Sequence, residues 1–345
     1  MSFVNDPTDF DTLSETDDWG RTFDQIGISV KLKNAILMPE FEDLRYTASS
    51  CFWAAQAIED NYYALLSLGP ELEDRAIYLQ SINYKDRERK KASKEESASQ
   101  PPSLPNDGPS APQKQPGQPI ESAAPEPSVS KPLGTTTTLY RASNLETALI
   151  YYDAATGLAS DEAFGSAPGD LSGRTPVTYW TPQKEVADRY AKWAKHKSPE
   201  SKVIITEVEV SEELVSQLKP LLFWGLENGK MNPDFQQFTC LCRRAALDRS
   251  FPNHLQYVDK ADMIIAHILR HKNAYYNKMD NDGWKKIDAS NLLKIEIDDD
   301  PAPRLGIQWV FKSREAQRQF SEHCQGKVLQ YNMHRLTINE VELKY

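Results

Sequence analysis

The chain has 345 residues, 39% hydrophobic and 26% charged, with a formal net charge of −10. That length accommodates one or two domains with packed cores, and the acidic balance weighs against a duplex-binding surface, which needs clustered Lys and Arg. No run of 18 apolar residues occurs, so no membrane span is expected.

The acidic start, MSFVNDPTDFDTLSETDD, lacks the basic-then-apolar pattern of a secretory signal. Four cysteines, Cys51, Cys240, Cys242 and Cys324, form no CxxC pair. Free thiols in a reducing, intracellular compartment, cytoplasm or nucleus, are the expectation. Residues 1–22 read as a disordered acidic N-terminus, and residues 23–90 as a helical region. Phe52, Ala55, Ile58 and Tyr62 recur there at helical spacing. Ser49 or Ser50 is placed to cap that helix, and Gly69-Pro70 to stop it.

From Tyr84 the chain is charged, and between Gln100 and Pro132 it carries 10 of its 22 prolines. Such a stretch buries too little apolar surface to offset chain entropy, so residues 91–134 read as a disordered linker. Residues 135–345 mix strand and helix signals and read as an α+β domain. TTTTLYRA (Thr135 to Ala142) is a strand, and NLETALIYYDAATGL a helix. VTYWTPQKEVADRYAKWA passes from strand through a proline break into a helix. KVIITEVEV is an alternating strand, followed by the helix SEELVSQL with Ser211 as its cap. NLLKIEI, LGIQWVF and RLTINEVEL are further strands, with a helix over SREAQRQFSEHCQ.

Three pieces stand out together. LYRA ends the first strand on Arg141. TYWT puts Tyr179 and Trp180 where a strand hands over to a helix. In GIQWVF, Gln308 faces away from Ile307, Trp309 and Phe311. Taken singly, the Arg reads as an ion-pair residue, the aromatics as core and the Gln as bland. In this order and spacing, the chain resembles the ADP-ribosyltransferase-like superfamily over roughly Thr135 to Leu329. That family has a strand ending in His or Arg, a Tyr- or Ser-bearing strand leading into a helix, then a strand carrying Glu or Gln. TYWTPQKEVADRYAKWA is similar to its second block. The Asp262 segment KADMIIAHI and the helix SREAQRQF match a divergent branch.

The resemblance implies a split β-sheet domain that takes NAD as substrate. It also implies Arg141, Tyr179 and Gln308 as catalytic residues, with Arg141, Ala142, Tyr179, Trp180 and Thr181 binding the dinucleotide. The ADP-ribose would pass to water or to an unidentified protein acceptor. Chemically, a guanidinium suits a diphosphate, a phenol ring suits nicotinamide, and an amide suits ribose hydroxyls. The neutral Gln308 departs from the commoner Glu, whose charge stabilises an oxocarbenium-like ribose. No second carboxylate stands in GIQWVF for activating an arginine acceptor. A catalytically inactive interaction module with this fold is therefore the alternative.

Other candidates have plainer readings. His267 and His271 lie four apart, as on one helical face, with no third zinc ligand nearby, so no metal site is expected. Arg243 and Arg244 beside Cys240 and Cys242 could depress a thiolate, though a buried or edge-strand cysteine pair is the simpler reading. Asp298 to Asp300 lack EF-hand spacing and read as a solvated turn. No GxGxxG, P-loop or GxSxG motif is present.

Overall fold

A computed structural model of the protein describes residues 18–96, 136–145, 148, 169–172, 177–244, 251–280, 282–297 and 300–332. The Asp18 carboxylate accepts the Arg21 N–H and caps α1 (Trp19–Gln25), while residues 1–17 of the expected disordered N-terminus lie outside the described residues. Trp19 and Phe23 are buried, so the helical region starts earlier than residue 23. Ser29 caps α2 (Val30–Ile36) in the same way. At α3 (Ser50–Glu96) the Ser49 hydroxyl accepts the Phe52 N–H at 3.0 Å, one of the two expected caps.

The expected stop at Gly69-Pro70 fails, because α3 continues through Pro70 to Glu96. A proline inside a helix forfeits one backbone bond and costs roughly 3 kcal/mol. The Lys-, Arg-, Glu- and Ala-rich run that follows consists of good helix formers, and it overrides the local signal. Lys91 to Glu96 are consequently helical rather than linker, and the rest of the proposed linker lies outside the described residues.

Two sheets organise the remainder. β1 (Thr136–Asn144), β3 (Val203–Ser211) and β11 (Val328–Asn332) form an antiparallel sheet in the order β1-β3-β11. β2 (Thr178–Trp180), β4 (Leu221–Phe223), β7 (Met263–His267) and β10 (Ile307–Phe311) form a mixed sheet in the order β2-β10-β7-β4. β5 (Leu226–Glu227) pairs with β6 (Lys230–Met231), and β8 (Lys294–Ile297) with β9 (Asp300–Leu305). The two larger sheets meet at a bridge where Tyr140 and Thr181 exchange backbone hydrogen bonds of 2.7 and 3.1 Å.

Four longer helices pack on this frame: α4 (Lys184–Lys197), α5 (Glu212–Leu218), α6 (Pro233–Arg243) and α7 (Arg314–Cys324). Ser211 caps α5, as its position before SEELVSQL suggests. The expected strand RLTINEVEL and most of the helix NLETALIYYDAATGL lie outside the described residues.

The mixed sheet is buried on both faces. Trp180, Trp309 and Phe311 point into a core closed by Phe320 of α7. Val310 and Ile264 point into another, with Phe235 and Phe238 of α6. This explains why MIIAH shows no alternation: all five residues of β7 are buried. His267 and His271 therefore do not share a helical face. His267 ends the strand, and its Nδ1 accepts the Gly225 N–H at 3.2 Å.

The N-terminal helices are part of the same body rather than a separate region. Residues up to Leu65 form one compact unit with those after Gly134, and the chain from Leu66 to Gly134 forms a second. Trp19, Phe23, Phe41 and Trp53 share a core with Val186 and Trp193 of α4 and with Leu293 and Ile295. Arg189 makes a two-pronged ion pair with Asp43 at 2.7 and 2.9 Å. Lys197 is buried between the rings of Trp53 and Trp193, at 4.4 and 4.2 Å, and donates to Gln56 Oε1. Its ammonium is pushed down to about 8 by burial, with the Asp60 carboxylate acting against that shift.

This packing predicts that Trp53→Ala costs about 3–5 kcal/mol, the loss typical of a buried Trp, as read by urea unfolding. A chain starting at residue 135 should lack a cooperative transition. A wild-type-like melt of that fragment would contradict the shared core.

Candidate functional site

Three strands contribute to one cavity of about 210 Å³, and β1 runs on to Asn144 rather than ending at Arg141 as expected. Arg141 reaches it from β1, Tyr179 from β2 and Gln308 from β10, and Ala142, Trp180 and Thr181 complete the same wall. The convergence follows from the pleat and from the bridge. Leu139 of β1 lies in the core with Trp180, and Arg141 is two residues on, with the same facing. On the mixed sheet, Val310 pairs with Tyr179. Gln308, two residues before Val310, shares that face. Thr47, Phe52, Trp53 and Gln56 of the N-terminal part also line it.

Tyr179 is half-buried, with its hydroxyl end gripped by the 169–172 loop. The Leu171 N–H donates to its oxygen at 3.4 Å. Gly169 is required for this approach, since a Cβ there would come within 2.6 Å of the hydroxyl. Burial, and secondarily the Asp170 charge, push the phenol well above its ordinary range, so it stays protonated. Trp180 is fully packed, edge-on to Phe320 at 5.2 Å.

The same loop brings a group that the sequence reading missed. Asp170 lines the cavity at 3% exposure. Its Oδ2 accepts the Leu269 N–H at 2.7 Å and Nε2 of Gln308 at 3.4 Å. Its Oδ1 lies 3.4 Å from Nη1 of Arg243. Gln308 Nε2 also donates to the His267 carbonyl at 3.0 Å. Arg243, at the end of α6, has a fully buried side chain. Its guanidinium donates to the carbonyls of Thr47, Tyr46 and His271, the last two at 2.7 Å. An Asp amid Gly, Ser and Pro reads as a turn, and an Arg ending a helix reads as surface. No local signal marked either as buried.

The remaining sequence candidates fall elsewhere. Cys240 and Cys242 are buried on a helix, not an edge strand, and burial pushes the Cys240 thiol up despite Arg244. That opposes the thiolate idea. His271 stacks near Tyr275 at 3.8 Å. Asp262 serves through its backbone, its carbonyl accepting the Lys312 N–H at 2.8 Å. Asp298 and Asp299 lie outside the described residues. Among the described residues no cluster of three or more His, Cys, Asp or Glu could hold a metal. None of the described helices is long and apolar enough to cross a membrane. No protein-family model, curated protein or solved structure matches the chain.

Burial raises the Asp170 carboxyl to about 6, with Arg243 and the hydrogen bonds opposing. A folded-state value above the unfolded one means the stabilising proton is fully held below about pH 4. That contribution is lost as the pH rises through about 6. Asp170→Asn should remove this component, worth roughly 3 kcal/mol across the window. Urea unfolding of both proteins at pH 4.5 and 7 measures it. Parallel pH profiles would place the titration elsewhere.

Proposed function

We propose that the protein is an NAD-binding, ADP-ribosyltransferase-like protein that cleaves the nicotinamide–ribose bond and passes ADP-ribose to water or to a protein acceptor. The observation that carries this reading is the meeting of Arg141, Tyr179 and Gln308 around one cavity. Two small sheets bridged, among the described residues, at Tyr140 and Thr181 support a split-sheet fold of that type.

The chemistry assigns a task to each group. The glycosidic bond breaks with its electron pair going to the pyridinium nitrogen, which releases neutral nicotinamide. The cationic C1′ left behind takes an oxygen or nitrogen of the acceptor, which then gives up its proton. Arg141 binds the diphosphate through its planar fork, Tyr179 contacts the nicotinamide ring, and Gln308 bonds a ribose hydroxyl. The cavity, at about 210 Å³, is below the roughly 300–1,000 Å³ usual for drug-sized ligands. On this reading it would take the nicotinamide and its ribose, with the adenosine outside.

A second reading, an inactive module that binds NAD without turnover, is favoured by the neutral amide at position 308. Calorimetric titration of the full chain with NAD, together with chromatographic detection of nicotinamide, separates the two. Binding with release is expected, and Arg141→Ala should weaken binding by roughly tenfold or more, as for loss of a charge-assisted contact. Binding without release selects the inactive module. Neither heat nor nicotinamide refutes both.

A further inference from the structure

The orientation of the Gln308 amide can be deduced from its partners. Nε2 sits 3.0 Å from the His267 carbonyl oxygen and 3.4 Å from Asp170 Oδ2. A carbonyl and a carboxylate only accept hydrogen bonds, so both contacts demand the NH2 side of the amide. The flipped rotamer would set oxygen against oxygen twice. Both hydrogens of the NH2 are thereby used, and the only polar atom that Gln308 has left for the cavity is Oε1.

Asp170 is rigid enough to impose this. Its Oδ2 accepts the backbone N–H of Leu269 at 2.7 Å, and its Oδ1 faces the buried Arg243 guanidinium. The neutral side chain at 308 also finds an explanation. A Glu there would place a second carboxylate beside Asp170 and against a carbonyl, and like charges so close cannot both ionise. The site already holds its negative charge one layer back.

We propose that Asp170 is a positioning residue. Together with the His267 carbonyl it locks the Gln308 amide so that Oε1 is a pure acceptor, and the ligand group opposite is a hydrogen-bond donor, a ribose hydroxyl. The identity of the donor rests on the NAD reading, while the lock rests on the geometry alone.

Two measurements on the full chain test these parts separately. The first is a double-mutant cycle in urea with D170N, Q308E and D170N/Q308E. Q308E should reduce the folding equilibrium constant by about tenfold more with Asp170 present than in the D170N background. In that background an Asn amide can donate to the new carboxylate. Equal costs in both backgrounds would overturn the lock, whatever the ligand.

The second titrates NAD and its analogues with 2′- or 3′-deoxy nicotinamide-ribose. Wild type should bind one deoxy compound roughly tenfold or more weakly than NAD, and D170N should narrow that difference, because only the His267 carbonyl then orients the amide. Equal binding of all three by wild type, or discrimination as large in D170N as in wild type, would overturn the assignment. Should NAD itself not bind, the NAD reading fails, and the stability cycle still decides the lock.

Discussion

A guanidinium sealed from water draws its partners from inside the protein, and Arg243 does so here through both terminal nitrogens, while its Nε is left without one. Its side chain is fully buried, and it draws in three backbone carbonyls, from Tyr46, Thr47 and His271, and one carboxylate, from Asp170. Removing one partner of such a buried pair leaves an uncompensated charge, a loss of roughly 3–5 kcal/mol. The four groups come from the N-terminal segment, the 169–172 loop and the chain after β7. Satisfying one cation therefore fixes three parts of the molecule at the base of the cavity.

The cavity inherits its geometry from that constraint. Asp170 is held by Arg243 and by the Leu269 N–H, and it in turn touches Gln308. Above it Tyr179 is pinned at the hydroxyl by the same loop. The mixed sheet contributes stiffness, since strands packed on both faces have little freedom to shift. The apolar wall comes from Phe52 and Trp53, which belong to a helix far away in sequence.

How much of this was legible depended on whether the physics was local. Helix caps and amphipathic periods are local, so Ser49, Ser211 and the SREAQRQF helix could be read directly. The alternation in GIQWVF correctly set Gln308 apart from Trp309 and Phe311, but LYRA does not end its strand, which continues past Arg141 to Asn144. MIIAH was opaque, because a strand buried on both sides has no period of two. Pro70 misled, because helix formers downstream outweigh one lost hydrogen bond. The seating of the N-terminal helices, and the burial of Asp170 and Arg243, depend on partners many residues away. No window of sequence contains them.

The joint core of the N-terminal helices and α4 has a consequence for how the chain matures. Tyr46 and Thr47 precede the side chain that binds their carbonyls by about two hundred positions, and Ile295 of the same core is later still. Closing so long a loop adds little to the equilibrium cost, which grows only with the logarithm of its length. It delays the search, because distant contacts form slowly. Trp19, Phe23 and Trp53 thus stay without the surfaces of Trp193, Leu293 and Ile295 until the intervening chain is made, an interval in which exposed apolar surface favours aggregation.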